Sequence, residues 1–395
     1  MSQSLPRRDP SSAPLGDINA RAQAWLRETA LPLWAAAGVD GRHGGFMELL
    51  DLDGRPLPSD RRRLRVQARQ IYVYADAAVR HGDDRARMVA LRAFDWMQRH
   101  YWSADGGWVF AVDGDGTVVD AAREAYEQAF AIFASAWLLQ AAPDCGAGAW
   151  IERTWAFLDE RLASPNGGYR ESLPDRTPRR QNPHMHLLEA CLACHAATGD
   201  TAYLDRARAL YGLFQRHWFD PRLGILGEYF DTAWQAVDEQ RFEPGHHMEW
   251  CWLLQRLSER TGLPVPEAAV LHATAERHGR AADGLLIDEC AADGAPILAT
   301  KRCWPQTEEI KGQLAMYERS GDAGYLDRAG AAVERLFAHY LLPNGAWRDR
   351  VDADGRGIGD EAPASSLYHI ALALNEFDRV LGFARARQAA IQAEP

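Results

Sequence analysis

Two kinds of helix alternate along the chain. The segment "YEQAFAIFASAWLLQAA", residues 126–142, is apolar nearly all round, whereas "WIERTWAFLDERLA", residues 150–163, keeps its apolar residues to one face. The same contrast separates "RQIYVYADAAVRHG", residues 69–82, from "ARMVALRAFDWMQRHYW", residues 86–102. An all-round apolar helix is buried; an amphipathic one keeps a face in water. Each pair therefore predicts an inner helix followed by an outer one.

A shorter pattern runs between the pairs. A glycine beside an aliphatic or aromatic run, usually closing on an Asp/Gly turn, recurs as "GGFMELLDLDG", "GGWVFAVDGDG", "GGYRESLPD", "LGILGEYFD", "GLLIDECAADG" and "GAWRDRVDADG". Alternating sides ended by turn residues predict a short strand or hairpin. With Gly45, Gly107, Gly168, Gly224, Gly284 and Gly345 as markers, successive spacings are 62, 61, 56, 60 and 61 residues. A near-constant period of this length marks a repeat architecture. Each of the five intervals has room for two helices. One more ("INARAQAWLRETALPLWAAA") precedes the first marker and one ("SSLYHIALALNEFDRVLGFARAR") follows the last, which makes twelve. Solenoid ends carry polar caps, and neither terminal helix resembles one. The pattern thus predicts an all-α fold: an (α/α)6 barrel, a toroid of twelve helices with short β-hairpins between helix pairs. The expected organisation is a disordered tail over residues 1–16, rich in Ser, Pro and Arg, and a single barrel domain over residues 17–395.

The period also sorts the polar residues. About 20 residues after each marker, where an inner helix begins, stand Arg69, Glu127, His186, His246, Glu308 and His369. Burying charge is costly unless it is paired or functional. One histidine on an apolar helix is ordinarily a hydrogen-bonded core residue; six polar residues at one height predict a pocket at one mouth of the barrel. Neighbours extend the set. Asn182 and His184 precede His186 in "NPHMHLLEA", and Glu249 follows His246 by one turn, on the same face. Trp252 lies six residues after His246, and Trp304 four before Glu308 in "KRCWPQTEEIKG". Rings stack on sugar faces, and imidazoles and carboxylates bond hydroxyls, so the set suits a carbohydrate. Core packing is the competing reading of both tryptophans.

Charge and composition narrow the classes. A net charge of −11 argues against nucleic acid or an anionic membrane as partner. "RRRLR", residues 61–65, is a local exception, read as a solvated helix end with a phosphate site as its rival. Six scattered cysteines are no disulfide framework, no apolar run reaches membrane-spanning length, and a cytoplasmic protein is expected. "CLACH" matches a haem-attachment pattern but sits inside an apolar helix. "HMHLLE" and "HHME" offer metal ligands without the His-Glu-x-x-His order, and Gly-rich phosphate loops and Gly-x-Ser-x-Gly are absent. No metal and no cofactor are expected.

Together, "RVQARQIYVYA", "NPHMHLLEA", "PGHHMEWCWLL", "WPQTEEIKG" and "SSLYHI" resemble the N-acylglucosamine 2-epimerase superfamily, in order, from about Ala20 to Arg385. "PGHHMEW", with Trp250 after the glutamate, resembles its D-mannose isomerase branch more than its epimerases. The resemblance implies an (α/α)6 barrel enzyme acting on a monosaccharide without a metal, and dimers occur among such proteins. It implies that Arg69, His246, Glu249, Glu308 and His369 are catalytic, with Trp304 at the family's tryptophan position. Asn182, His184, His186, Trp252 and Glu127 are the further candidates for substrate binding.

The expected reaction interconverts D-mannose and D-fructose, with D-lyxose and D-xylulose as a second pair, by moving a proton between C2 and C1 through an enediolate. Histidine suits this because it takes and returns a proton near neutrality. His369 is assigned the carbon proton. His246, positioned by Glu249, is assigned ring opening and the oxygen proton, and these two roles are interchangeable at this stage. Arg69 offsets oxyanion charge, and Glu308 orients hydroxyls or fixes the His369 tautomer. A sugar 2-epimerase of the N-acylglucosamine or cellobiose type would use the same residues on both faces of C2. An (α/α)6 glycoside hydrolase would need only paired carboxylates, leaving the histidines surplus, and a non-catalytic sugar-binding protein is the blandest rival.

Overall fold

The computed structural model describes residues 13–237 and 241–393. Most of the tail expected over residues 1–16 lies outside them, and a helix already runs from Ala13. Helix α1 spans Ala13–Ala24 and continues through Trp25–Ala30 and Leu31–Ala36. The inner helices are α2 (Leu64–His81), α4 (Ala125–Ala141), α6 (Asn182–Thr198), α8 (Pro244–Thr261), α10 (Cys303–Ser320) and α12 (Leu367–Ala393). The outer ones after α1 are α3 (Asp84–Tyr101), α5 (Ala147–Phe157), α7 (Ala202–Leu213), α9 (Glu267–His278) and α11 (Gly324–His339). Each inner helix packs on the next, and α12 packs back on α2, so the ring is closed as the period predicts.

Short strands close it a second time. The strand before each inner helix pairs antiparallel with the hairpin of the following repeat: Arg62–Arg63 with Ala111–Val112, and likewise round the ring to Lys301–Arg302 with Arg350–Val351. Glu361–Pro363 then pairs with Leu49–Asp51, joining the last repeat to the first. Four inner helices stop at a glycine in the left-handed region (Gly82, Gly199, Gly262 and Gly321), where a side chain would be strained. That stop fixes how deep each inner helix runs from the mouth.

A polar side chain near the start of five inner helices latches a hairpin. The amides of Gln67, Gln128 and Gln306 bond both the N–H and the C=O of Phe46, Trp108 and Leu286. In the third and fourth repeats a histidine does this work. His184 Nε2 accepts from the N–H of Tyr169 at 2.9 Å, and His247 Nε2 from that of Leu226 at 3.0 Å. Burial lowers both imidazoles to about 3, so they remain neutral acceptors. The far end of the barrel is tied by ion pairs linking Glu376, Arg379, Glu318 and Arg256. The mouth carrying the inner-helix N-termini is the end left hollow.

Candidate active site

The hollow is a cavity of about 250 Å³ lined by residues of all six inner helices and of the hairpins above them, among them Arg69, Asn182, His186, His246, Glu249, Trp304 and His369. Seven of the eleven residues proposed from sequence thus converge on it. The Trp304 ring spans its wall, 5.0 Å from the His246 ring and 5.7 Å from that of His369. Glu308 lies immediately behind His369, fully buried, with Oε1 2.8 Å from His369 Nδ1.

Three candidates lie off the cavity. His184 is the hairpin latch described above. Glu127 turns to Arg65 and accepts from its backbone N–H at 2.6 Å. Trp252 donates its indole N–H to Glu376 at 3.0 Å, deeper in the barrel. A spacing of about 20 residues fixes height along a helix, but each residue also turns the side chain by about 100°. Glu127 and Trp252 have the right distance from the mouth or the right helix, and the wrong direction.

His246 is held differently from the sequence expectation. Its Nδ1 lies 3.0 Å from both carboxylate oxygens of Glu228, and no hydrogen bond joins it to Glu249. Glu228 sits in the fourth hairpin, two residues past Leu226. A second carboxylate, Glu243, stands just before the first turn of α8 beside it. Burial pulls the His246 pKa down, but Glu228 and Glu243 outweigh it and raise it to about 9. The same pairing holds the Glu228 carboxyl below its usual range despite burial. His246 is therefore an imidazolium at neutral pH. Asn182 Nδ2 stands 3.2 Å from His246 Nε2, while its own Oδ1 has no partner. A protonated ring donates from both nitrogens, so the amide turned over, oxygen toward Nε2, satisfies both groups.

His369 has the opposite setting. Burial, with Arg69, Lys311, His186 and His246 around it, pushes its pKa well below the usual value. Its Nδ1–H donates to Glu308, so Nε2 carries the lone pair. Arg69 donates to Tyr126 Oη at 2.7 Å and to the Ser365 carbonyl at 3.2 Å, and lies 4.3 Å from the Phe130 ring centre. Among the described residues no carboxylate lies within 4.0 Å of its guanidinium, so its charge is free for a ligand. His186 is bound to Glu189 at 3.0 Å and burial lowers it to about 3.

Six lining residues escaped the sequence reading: Tyr126, Arg180, Glu228, Tyr229, Glu243 and Arg302. Glu228 carried a readable signal. Two residues beyond the latched hairpin position, an acid stands in five of six copies: Glu48, Glu171, Glu228, Asp288 and Asp349. Two trios, Glu228 with Glu243 and His246, and Glu249 with Glu308 and His369, bring ligand atoms within 4.8 Å of one another. In both, the imidazole Nδ1 is taken by a carboxylate, and in the second the Lys311 ammonium, 2.6 Å from Glu308, already supplies the cation. The arrangement can perform proton chemistry with one acid and one base.

Known proteins share the sequence and the fold. A "Mannose-6-phosphate isomerase" of Rhizobium meliloti (strain 1021) is 36% identical over 371 residues, 90% of this chain and 96% of that protein. A "D-mannose isomerase" of Thermobifida fusca is 31% identical over 77% of this chain and 80% of its own length. The solved cellobiose 2-epimerase of Spirochaeta thermophila DSM 6192 superposes with a TM-score of 0.83 over 93% of this chain and 98% of its own at 24% identity, a likeness of fold. Among the described residues no helix is long and apolar enough to cross a membrane. The profile of the N-acylglucosamine 2-epimerase (GlcNAc 2-epimerase) family matches residues 44–373, and the chain belongs to that family, an enzyme that isomerises or epimerises sugars.

Proposed function

We propose that the enzyme is an aldose–ketose isomerase that interconverts D-mannose and D-fructose. The observation that carries this reading is the unlike charge of its two imidazoles. His246 is held as an acid by Glu228 and Glu243, and His369 as a base by burial among cations. Environments that push two titratable groups apart assign the acid and the base. A shift of the carbonyl from C1 to C2 needs one base on one face of the sugar. A 2-epimerase would instead have the acid return its proton to C2 from the opposite face, whereas here the His246 proton is assigned to oxygen, and product analysis separates the two.

In this scheme His246 first protonates the ring oxygen and takes up the anomeric O1 proton in return, so the aldehyde is freed and His246 is again an imidazolium. His369 Nε2 removes the C2 proton while His246 protonates O1, giving an enediol whose developing negative charge faces Arg69. His369 then returns its proton to C1, and O2 gives its own to His246, leaving the ketone. Atoms and charge balance without a further reactant. Trp304 stacks on the sugar, and Glu249, whose Oε1 is buried without a partner, accepts a hydroxyl.

The cavity supports a monosaccharide. Its volume of about 250 Å³ falls below the usual ligand-pocket range of roughly 300–1,000 Å³. The name of the Rhizobium meliloti relative favours a second reading, a phosphosugar. Against it, the basic run is already neutralised: Arg61, Arg62, Arg63 and Arg65 pair with Asp120, Asp40, Glu48 and Glu127. At the mouth Arg180 holds Glu171 and Arg302 holds Asp288 and Glu243. Incubation with D-mannose, D-lyxose and D-mannose 6-phosphate, with and without chelator, followed by sugar analysis, tests the reading. Fructose from mannose is expected. Glucose as sole product would make the enzyme a 2-epimerase, and turnover of the phosphosugar alone would establish the second reading.

A further inference from the structure

Glu308 is shared between two partners. Its Oε1 meets His369 Nδ1 at 2.8 Å, and its Oε2 meets Lys311 Nζ at 2.6 Å, one turn further along α10. Neither Glu308 nor Lys311 has any exposed surface. The ammonium sits 4.3 Å from the Trp252 ring centre, below the cavity floor. The sequence makes this lysine unusual. Of 44 Lys and Arg residues only Lys301 and Lys311 are lysine, and both are buried. A chain that otherwise uses arginine keeps a compact ammonium on an unbranched stem where a planar guanidinium, with its wider fork, would have to displace Trp252 or Glu308.

We propose that Lys311 is a positioning residue of the isomerase: its ammonium keeps Glu308 a carboxylate, and Glu308 thereby keeps His369 in the tautomer with Nδ1 protonated and Nε2 bare toward the substrate. The inference rests on the reading of His369 as the base. Charged and titratable groups face this pair from every neighbouring inner helix: Arg69 from α2, His186 and Glu189 from α6, His246 and Glu249 from α8, and Tyr368 from α12. Burial and the nearby Glu249 push the Glu308 carboxyl well above its usual range, and Lys311, at 2.6 Å, is the main group drawing it down. Burial works against the Lys311 charge, yet Glu308, Glu249 and Glu189 together raise its pKa, so it stays an ammonium. It is the only cationic group within 4.0 Å of Glu308 among the described residues. Without it, Glu308 takes up a proton and can donate to His369 Nδ1. The imidazole then carries its own proton on Nε2, and the lone pair that removes the C2 proton is gone.

Replacing Lys311 with methionine keeps the stem and removes the charge. Lys311→Met is expected to fold, to lose about tenfold or more in kcat with KM changed less than about threefold, and to move the acid limb of the kcat profile up by about one pH unit. The direction follows from both partners: losing a cation raises the pKa of Glu308 and of His369, so the reactive pair survives only at higher pH. In a Glu308→Gln background the same substitution should cost nothing more, because Lys311 acts through Glu308. An unmoved acid limb, or losses that add in the double variant, would overturn the inference. A second measurement needs neither turnover nor any change at Lys311. With two lysines in the chain, ¹⁵N-lysine NMR, assigned with Lys301→Arg, reads Lys311 directly. An ammonium that does not titrate below about pH 10 is expected, and a neutral amine at pH 7 refutes the ion pair. Full turnover by His369→Ala would instead remove the base reading and leave the NMR result standing.

Discussion

The fourth hairpin differs from the first, third and fifth at one residue, and the site grows from that difference. In the other three, the hairpin acid accepts from the backbone N–H of an arginine just before the inner helix and is gripped by the same guanidinium. Arg63 holds Glu48, Arg180 holds Glu171, and Arg302 holds Asp288. In the fourth the backbone contact survives, Glu243 N–H to Glu228 at 3.4 Å, but the arginine is a glutamate. Glu228 is left without a guanidinium and takes His246 at 3.0 Å. A device that fastens a hairpin to a helix becomes, by loss of one cation, the counter-ion of an acid. The repeat supplies the scaffold, and in the proposed scheme this break in it supplies the chemistry.

The sharpest way to break this comparison is to remove the group that the freed acid serves. His246→Ala should lose roughly 10²–10⁴-fold in kcat, the usual worth of a positioned acid or base, while circular dichroism and thermal unfolding stay close to the parent. A variant that retains most of its turnover would return His246 to a structural role like that of its neighbour.

Removing the freed acid itself should cost less. Glu228→Gln keeps shape and takes the charge from beside His246. An acid must be protonated to act, so activity falls above its pKa, about 9 in the parent. With Glu228 gone that pKa drops, and the alkaline limb of the kcat profile should move down by about 1–2 units. At pH 7 the imidazole would still be half or more protonated, so a kcat loss of no more than about twofold is expected there. Arg63, Arg180 and Arg302 predict a contrast: Glu48→Gln, in a hairpin of ordinary type, should cost stability and leave that limb in place. Equal shifts in both variants would remove the distinction between the hairpins.

The sequence made the ring readable for a physical reason. Turns with φ above zero leave glycines such as Gly45 and Gly107, and inner helices leave runs without an exposed face. Arg69, His246 and His369 were legible because polar residues on such helices have few reasons to be there. Glu228 was not, because acids are ordinary in hairpins. Its signal appears only when the six copies are laid over one another, acid against acid and Glu243 against three arginines. His184 misled for the converse reason. In two repeats an imidazole replaces the glutamine amide as latch, and a neutral buried acceptor looks in sequence like a catalytic base.

That substitution gives the smallest predicted effect. His246 and His247 are adjacent, yet one faces the cavity as a cation and the other is stacked on Phe242 at 4.6 Å and accepts from Leu226. Since Gln67, Gln128 and Gln306 do the same work, His247→Gln should change unfolding free energy near pH 8 by no more than about 1 kcal/mol and leave kcat nearly untouched. Its effect should emerge in acid. A buried histidine held at about 3 stays neutral in the fold, while the unfolded chain takes up a proton near 6.5. The parent is therefore fully stable above that value and loses up to roughly 1.4 kcal/mol per pH unit from this group as pH falls from 6.5 toward 3. Glutamine removes that loss, so the variant's acid unfolding midpoint should lie below the parent's. A fall in kcat approaching that of His246→Ala would mean that the latch and the acid are not separable, and the fourth repeat would then differ from the others by two residues.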